Sequence, residues 1–153
     1  MSFNFENIQK ILIATDGSDC SVRAAESGIN IAKLLDAQVI VVYVIDDVVV
    51  DQVSKVTGHE QAELELKQNG QRCINYVLRL ARKEGVKNSC LLSKLAQGRP
   101  YEQIVHLAKE LNVGLIVIGT FGQIGSERPL IGSVAERVIE HAHCPVLVVK
   151  HNP

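Results

Sequence analysis

Short runs in which apolar residues follow one another without a break alternate along this chain with longer stretches in which they recur every three or four positions. The unbroken runs fall at residues 11–14, 39–44, about 89–95, 115–118 and 146–149, and most are rich in Val and Ile. Continuous hydrophobicity of this length predicts strands covered on both faces, as in a parallel sheet, because a strand with one wet face alternates apolar with polar.

The intervening stretches carry helical stripes. Val22, Ala25, Ile29, Ala32 and Leu35 form the first, Leu66, Cys73, Val77 and Leu80 the second, and Tyr101, Ile104, Val105, Ala108 and Leu111 the third. Val134, Val138 and Ala142, with Ile139 alongside, form the fourth, so each helix presents one apolar face. The boundary residues agree: Ser18 or Asp19 suits the cap of the first helix, Gly85 an end of the second, and Pro100 the first turn of the third. The order predicts an α/β fold, a single doubly wound open sheet of five parallel strands with four helices, spanning residues 1–153 as one domain. A closed barrel of strand-helix repeats would need about 250 residues. In an open sheet of this kind ligands sit beyond the strand C-termini, where strand order reverses. Residues 46–60, with Asp46, Asp47, Asp51 and Gly58, are the one long polar stretch and are predicted as a surface excursion beside that edge.

Charge and composition narrow the partners. Sixteen Lys and Arg against seventeen Asp and Glu leave a net charge of -1, so there is no surplus of positive potential to hold a polyanion, and nucleic acid is not predicted as a partner. The opening MSFNFENIQK lacks the basic start and apolar centre of a secretory signal. The longest apolar run, residues 39–45, is far short of the roughly 20 residues that cross a bilayer, so no membrane span is predicted. Cys20, Cys73, Cys90 and Cys144 are widely spaced and form no CxxC pair, which predicts reduced thiols and a cytoplasmic location.

Candidate chemistry gathers after the fourth strand, in GTFGQIGSERPLIGSVAERV, where Gly119, Gly122 and Gly132 precede Ser133 and a helix. Glycines let main-chain N–H groups approach a phosphate without a Cβ in the way, and a helix start favours negative charge. Two readings stand side by side: a phosphate cradle, or glycines that turn the chain while Ser133 caps a helix. The segment is neither a Walker A loop nor GxGxxG. Within it Glu127 adds negative charge that Arg128 offsets, and Pro129 removes one N–H donor.

Together with ILIATDGS at residues 11–18, VVYVID at 41–46 and CPVLVV at 144–149, this glycine spacing resembles the universal stress protein family over nearly the whole chain. The resemblance implies an adenine nucleotide alpha hydrolase-like, Rossmann-like fold and an ATP site, with or without Mg²⁺. Carried over by position, Thr15 and Asp16 would meet the nucleoside end and the main chain of Val44 the adenine edge. Gly119, Gly122, Gly132, Ser133 and Val134 would hold ribose and phosphates. It also implies a cytoplasmic, regulatory stress-response nucleotide binder with slow or no hydrolysis, paired as a homodimer through its C-terminal strand. The plain alternatives are that Asp16 is a turn carboxylate near the first helix cap and Val44 a core strand residue.

Other functions compete with this one. A nucleotide-independent interaction module is the second reading, and a slow ATPase the third, although TDGSD offers one glycine where ATP-splitting relatives carry a denser phosphate loop. His141 and His143, two apart on a helix, predict a C-terminal cap rather than a metal pair. Asp46, Asp47 and Asp51 predict a solvated acidic loop rather than a Mg²⁺ site. Neither GxSxG nor any Ser, His and acid set points to nucleophilic catalysis.

Overall fold

The computed structural model describes residues 4–120 and 131–150. Its elements run β1 (Lys10–Ala14), α1 (Asp19–Leu35), β2 (Gln38–Asp46), α2 (Asp47–Thr57), α3 (His59–Lys83), β3 (Leu91–Gly98), α4 (Pro100–Glu110), β4 (Leu115–Gly119), α5 (Ser133–His141) and β5 (Val146–Val149). The five strands form one sheet in the order β3-β2-β1-β4-β5, with every pairing parallel. β1 lies at the centre: the chain winds out from it to β2 and β3 on one side, then returns to β4 and β5 on the other. Strand order therefore reverses between β1 and β4.

The two faces of the sheet explain the unbroken apolar runs. Ile11, Ile13, Val39, Val41 and Val117 face α1 and α3, packing on Ala24, Ala25 and Ile29 of the first and Ile74, Val77 and Ala81 of the second. Leu12, Ile40, Val42, Ile116 and Ile118 face the other way, onto Ile104 and Ala108 of α4 and Ala135 and Val138 of α5. Burying an aliphatic side chain in this way contributes about 1.5–3 kcal/mol, and the alternation along each strand spreads that contribution over both layers.

Helix boundaries follow the local chemistry. Ser18 caps α1 by accepting from Ser21 N–H at 3.2 Å, and Pro100 sits in the first turn of α4, where its missing N–H costs nothing. After α3, Gly85 takes φ +94° and donates its N–H to Arg82 O at 3.0 Å. Two expectations are corrected. The polar stretch 46–60 is no loose excursion but α2 and the start of α3, so the described residues hold five helices rather than four. Asp46 caps α2 by accepting from Val48 N–H at 2.9 Å, and Gly58, with φ +89°, separates the two helices. The third strand also begins later than predicted, because Asn88–Cys90 form a 3₁₀ turn in which Asn88 Oδ1 accepts from Arg82 Nε at 2.7 Å.

Candidate functional site

The C-terminal edge of the sheet gathers most of the residues singled out from the sequence. Thr15 and Asp16 follow β1, Val44 lies two residues before the end of β2, Gly119 ends β4, and Gly132, Ser133 and Val134 open α5. Gly132 donates its N–H to Thr120 O, which ties the start of α5 to the end of β4. Gly122, with Phe121, Gly125, Glu127, Arg128 and Pro129, lies outside the described residues.

The turn after β1 is a closed hydrogen-bond system. Ser21 Oγ donates to Ser18 O at 2.8 Å, so in its 3.1 Å contact with Thr15 the proton comes from the Thr15 hydroxyl. Thr15 Oγ1 in turn accepts from Gly17 N–H at 3.2 Å, and Asp16 Oδ1 accepts from Ser18 N–H at 2.9 Å. The Thr15 side chain is thus committed to α1. Gly17 itself sits at φ +83°, a left-handed conformation that glycine adopts without a Cβ clash.

Gly119 is held against the start of α1. A Cβ there would lie 2.9 Å from Cys20 Sγ and 3.0 Å from both the carbonyl carbon and the oxygen of Cys20. The Cys20 thiol donates to Val149 O at 3.7 Å, so the Thr120 hydroxyl, 3.4 Å away, donates to its sulfur. This buried knot joins α1, β4 and β5. Val44 is half-buried and packs into the cluster beneath α4 and α5.

A cavity of about 330 Å³ opens on that second face, lined by Asp46, Arg99, Pro100, Tyr101, Ser133, Val134 and Arg137. Its size is at the lower end of small-molecule sites, roughly 300–1,000 Å³. Two of the sequence-predicted residues, Ser133 and Val134, line it, and both are exposed. Arg99, Tyr101 and Arg137 are additions that the sequence did not single out as site residues. The Arg137 guanidinium lies over the Tyr101 ring at 5.1 Å from its centroid, and the His141 ring stands 5.3 Å from the same ring. His141 Nδ1 also meets Arg137 O at 2.8 Å, the helix-end contact its position predicted. Arg99 pairs with Glu102 at 3.3 Å, and its guanidinium is pushed further up in pKa by the Tyr101 hydroxyl first and the Glu102 carboxylate second.

Of the carboxylates Asp46, Asp47 and Asp51, Asp46 caps α2 and Asp47 Oδ1 accepts from Gln97 Nε2 at 3.2 Å. Among the described residues no group of three His, Cys, Asp or Glu is placed to hold a metal ion. All four cysteines are free thiols. On the α3 side of the β1 turn, burial pushes the Cys73 thiol and the Tyr43 phenol up in pKa. The Asp16 carboxylate adds to both shifts, while Asn69, which donates to Tyr43 Oη at 3.3 Å, partly offsets the second. No helix among the described residues is long and apolar enough to cross a membrane.

Comparison with known proteins agrees with this architecture. Universal stress protein MJ0531 of Methanocaldococcus jannaschii is 45% identical over 148 residues, covering 96% of this chain and 85% of its own. Universal stress protein YxiE of Bacillus subtilis is 32% identical over 149 residues, covering 92% of this chain and 98% of its own. Among solved structures, hypothetical protein MJ0577 superposes with a TM-score of 0.82 at 27% identity, over 95% of this chain and 98% of that one. With the model of the universal stress protein family matching residues 7–150, and the β1 turn, the reversed sheet order and the start of α5 all in place, the chain belongs to the universal stress protein family.

Proposed function

We propose that this protein is a cytoplasmic, stress-related regulator that binds an adenine nucleotide, ATP with or without Mg²⁺, at the C-terminal edge of its sheet. The observation that carries this reading is the cavity lined by Ser133 and Val134 at the start of α5 together with Arg99 and Arg137, beside the point where strand order reverses. Thr15 and Asp16 would meet the nucleoside end, the main chain of Val44 the adenine edge, and Gly119, Gly122, Gly132, Ser133 and Val134 the ribose and phosphates. Two proteins of this fold, each 24% identical to the chain, have been solved with small adenine nucleotides, one with cAMP and one, from Archaeoglobus fulgidus, with dAMP. At that identity they lend the fold and no residue assignments.

Turnover on this reading is slow or absent. Fast phosphoryl transfer needs a group that orients the attacking nucleophile as well as cations, and the one carboxylate lining the cavity, Asp46, is engaged as the cap of α2. The homodimer would form through β5, an edge strand whose four residues are all half-buried and whose outer ladder is unpaired among the described residues.

Gly119 favours a second reading, an interaction module that does not need nucleotide, because packing on Cys20 accounts for that glycine without any ligand. Calorimetry with ATP and AMP, with and without Mg²⁺, separates the two. Gly132 lies at φ -63° and ψ 157°, a conformation open to any residue, so Gly132→Val leaves the backbone unstrained. Loss of affinity in that variant supports the nucleotide reading, and unchanged affinity refutes the placement of the phosphates.

A further inference from the structure

We infer that Arg99 and Arg137 form a charge-reading subsite, so that the number of phosphates on the ligand sets its affinity. The inference rests on the nucleotide reading above and adds the groups that discriminate among nucleotides. Both guanidiniums line one cavity although they come from different helices, Arg99 from the cap position of α4 and Arg137 from the second turn of α5. The caps of these two helices, Arg99 and Gly132, make no side-chain hydrogen bond to the helix N–H groups. Their first turns supply Pro100, Tyr101, Ser133 and Val134 to the same wall. Positive charge and two helix N-terminal ends therefore converge on the cavity.

The two arginines are not equivalent. Arg99 shares its charge with Glu102 at 3.3 Å. Arg137 makes no ion pair among the described residues and lies over the Tyr101 ring at 5.1 Å, a cation–π contact made through the ring face that leaves its N–H groups for an oxyanion. Arg137 is accordingly the dominant member. Asp46 and Glu102 place carboxylates at or beside the cavity, so a phosphate chain is drawn there by the guanidiniums against local negative charge. A ligand without phosphates gains nothing from them, and one with three gains most.

The test is calorimetry on the full chain with adenosine, AMP, ATP and inorganic tripolyphosphate, comparing the native protein with Arg137→Gln, Arg137→Lys and the double variant Arg99→Gln, Arg137→Gln. Loss of one charge-assisted contact corresponds to about tenfold or more in affinity. The native protein is expected to prefer ATP to AMP, Arg137→Gln to shrink that preference about tenfold, Arg137→Lys to keep most of it, and the double variant to shrink it further, to what the main-chain donors at the start of α5 supply. An ATP preference in the double variant equal to that of the native protein overturns the subsite while leaving nucleotide binding intact. Binding of tripolyphosphate that the double variant loses, with no nucleotide bound by the native protein, supports the subsite and overturns the nucleotide reading. Failure of the native protein to bind any of the four overturns both.

Discussion

Gly119 and Cys20 approach so closely that a Cβ at position 119 would stand 3.0 Å from both the carbonyl carbon and the carbonyl oxygen of Cys20. The contact is with main chain at the start of α1, which cannot swing aside as a side chain can. Gly119→Ala is therefore expected to destabilise the fold by about 1–3 kcal/mol through overpacking. Cys20→Ala in the same chain should not restore it, because removing Sγ leaves the main-chain contacts in place. Urea denaturation of the single and double variants checks this, and full recovery in the double would place the strain at the sulfur instead.

Gly17 makes the opposite case. Its added Cβ would meet Cys73 Sγ at 2.7 Å with the Cys73 Cβ at 3.9 Å, so the steric part of the conflict lies in one removable atom. The φ of +83° is a separate cost of about 1–2 kcal/mol for any L-residue. Gly17→Ala should destabilise the protein, and adding Cys73→Ala should recover the steric part while the backbone part persists. A double-mutant cycle measures the split, and strict additivity would show that Cys73 yields without cost.

The Thr15 hydroxyl donates to Ser21 Oγ and accepts from Gly17 N–H, both within the β1 turn. Thr15→Val keeps the shape and removes both contacts, leaving a buried hydroxyl and a main-chain N–H short of partners. The expected loss is about 1–3 kcal/mol, against about 1 kcal/mol for Ser18→Ala, which removes a helix cap alone. Equal losses in thermal unfolding would argue that the turn relaxes to water.

Alkaline pH should weaken the fold. Burial raises the pKa of the Cys73 and Cys144 thiols and of the Tyr43 phenol. For each, the folded chain holds the proton more tightly than the unfolded chain, so the stabilisation is complete below the unfolded values, about 8.5 for a thiol and 10 for a phenol. It is lost as pH rises through the raised folded values. The Tm should fall from about pH 8.5 upward. Cys73→Ala with Cys144→Ala should flatten the lower part of that fall and Tyr43→Phe the upper part. A slope unchanged in both variants would assign the loss to other groups.

The fold was legible because its signals are local. The strand at residues 146–149 coincides with β5, and the other core runs lie inside or within three residues of β1 to β4, since burial on both faces leaves an unbroken apolar record. α2 escaped because only Val50 of its 11 residues is buried and its other valines suit a strand or a loop as well as a helix. The cue lay in Asp46 read as a cap and Gly58 read as a break, instead of as parts of an acidic loop. Gly119, Gly132, Ser133 and Val134, singled out by the glycine spacing, lie at the end of β4 and the start of α5. Arg99 and Arg137 carry no motif at all: 38 positions separate them in sequence, and only the packing of α4 on α5 places them on one cavity.

Asp46 allows the structural and the electrostatic roles of one carboxylate to be separated. It caps α2 through Val48 N–H and lines the cavity with both arginines. Asparagine caps a helix as well as aspartate does, so Asp46→Asn should leave the Tm close to that of the native protein, whereas Asp46→Ala should lose about 1 kcal/mol. Both remove a negative charge from a cavity that draws an anion. Tripolyphosphate should therefore bind several-fold more tightly to each variant at low salt, with the gain fading as ionic strength rises and the Debye length falls to about 8 Å at 0.15 M. If Asp46→Asn instead weakens ATP while leaving tripolyphosphate unchanged, the carboxylate accepts a hydrogen bond from the nucleoside, and its charge does not oppose the phosphates.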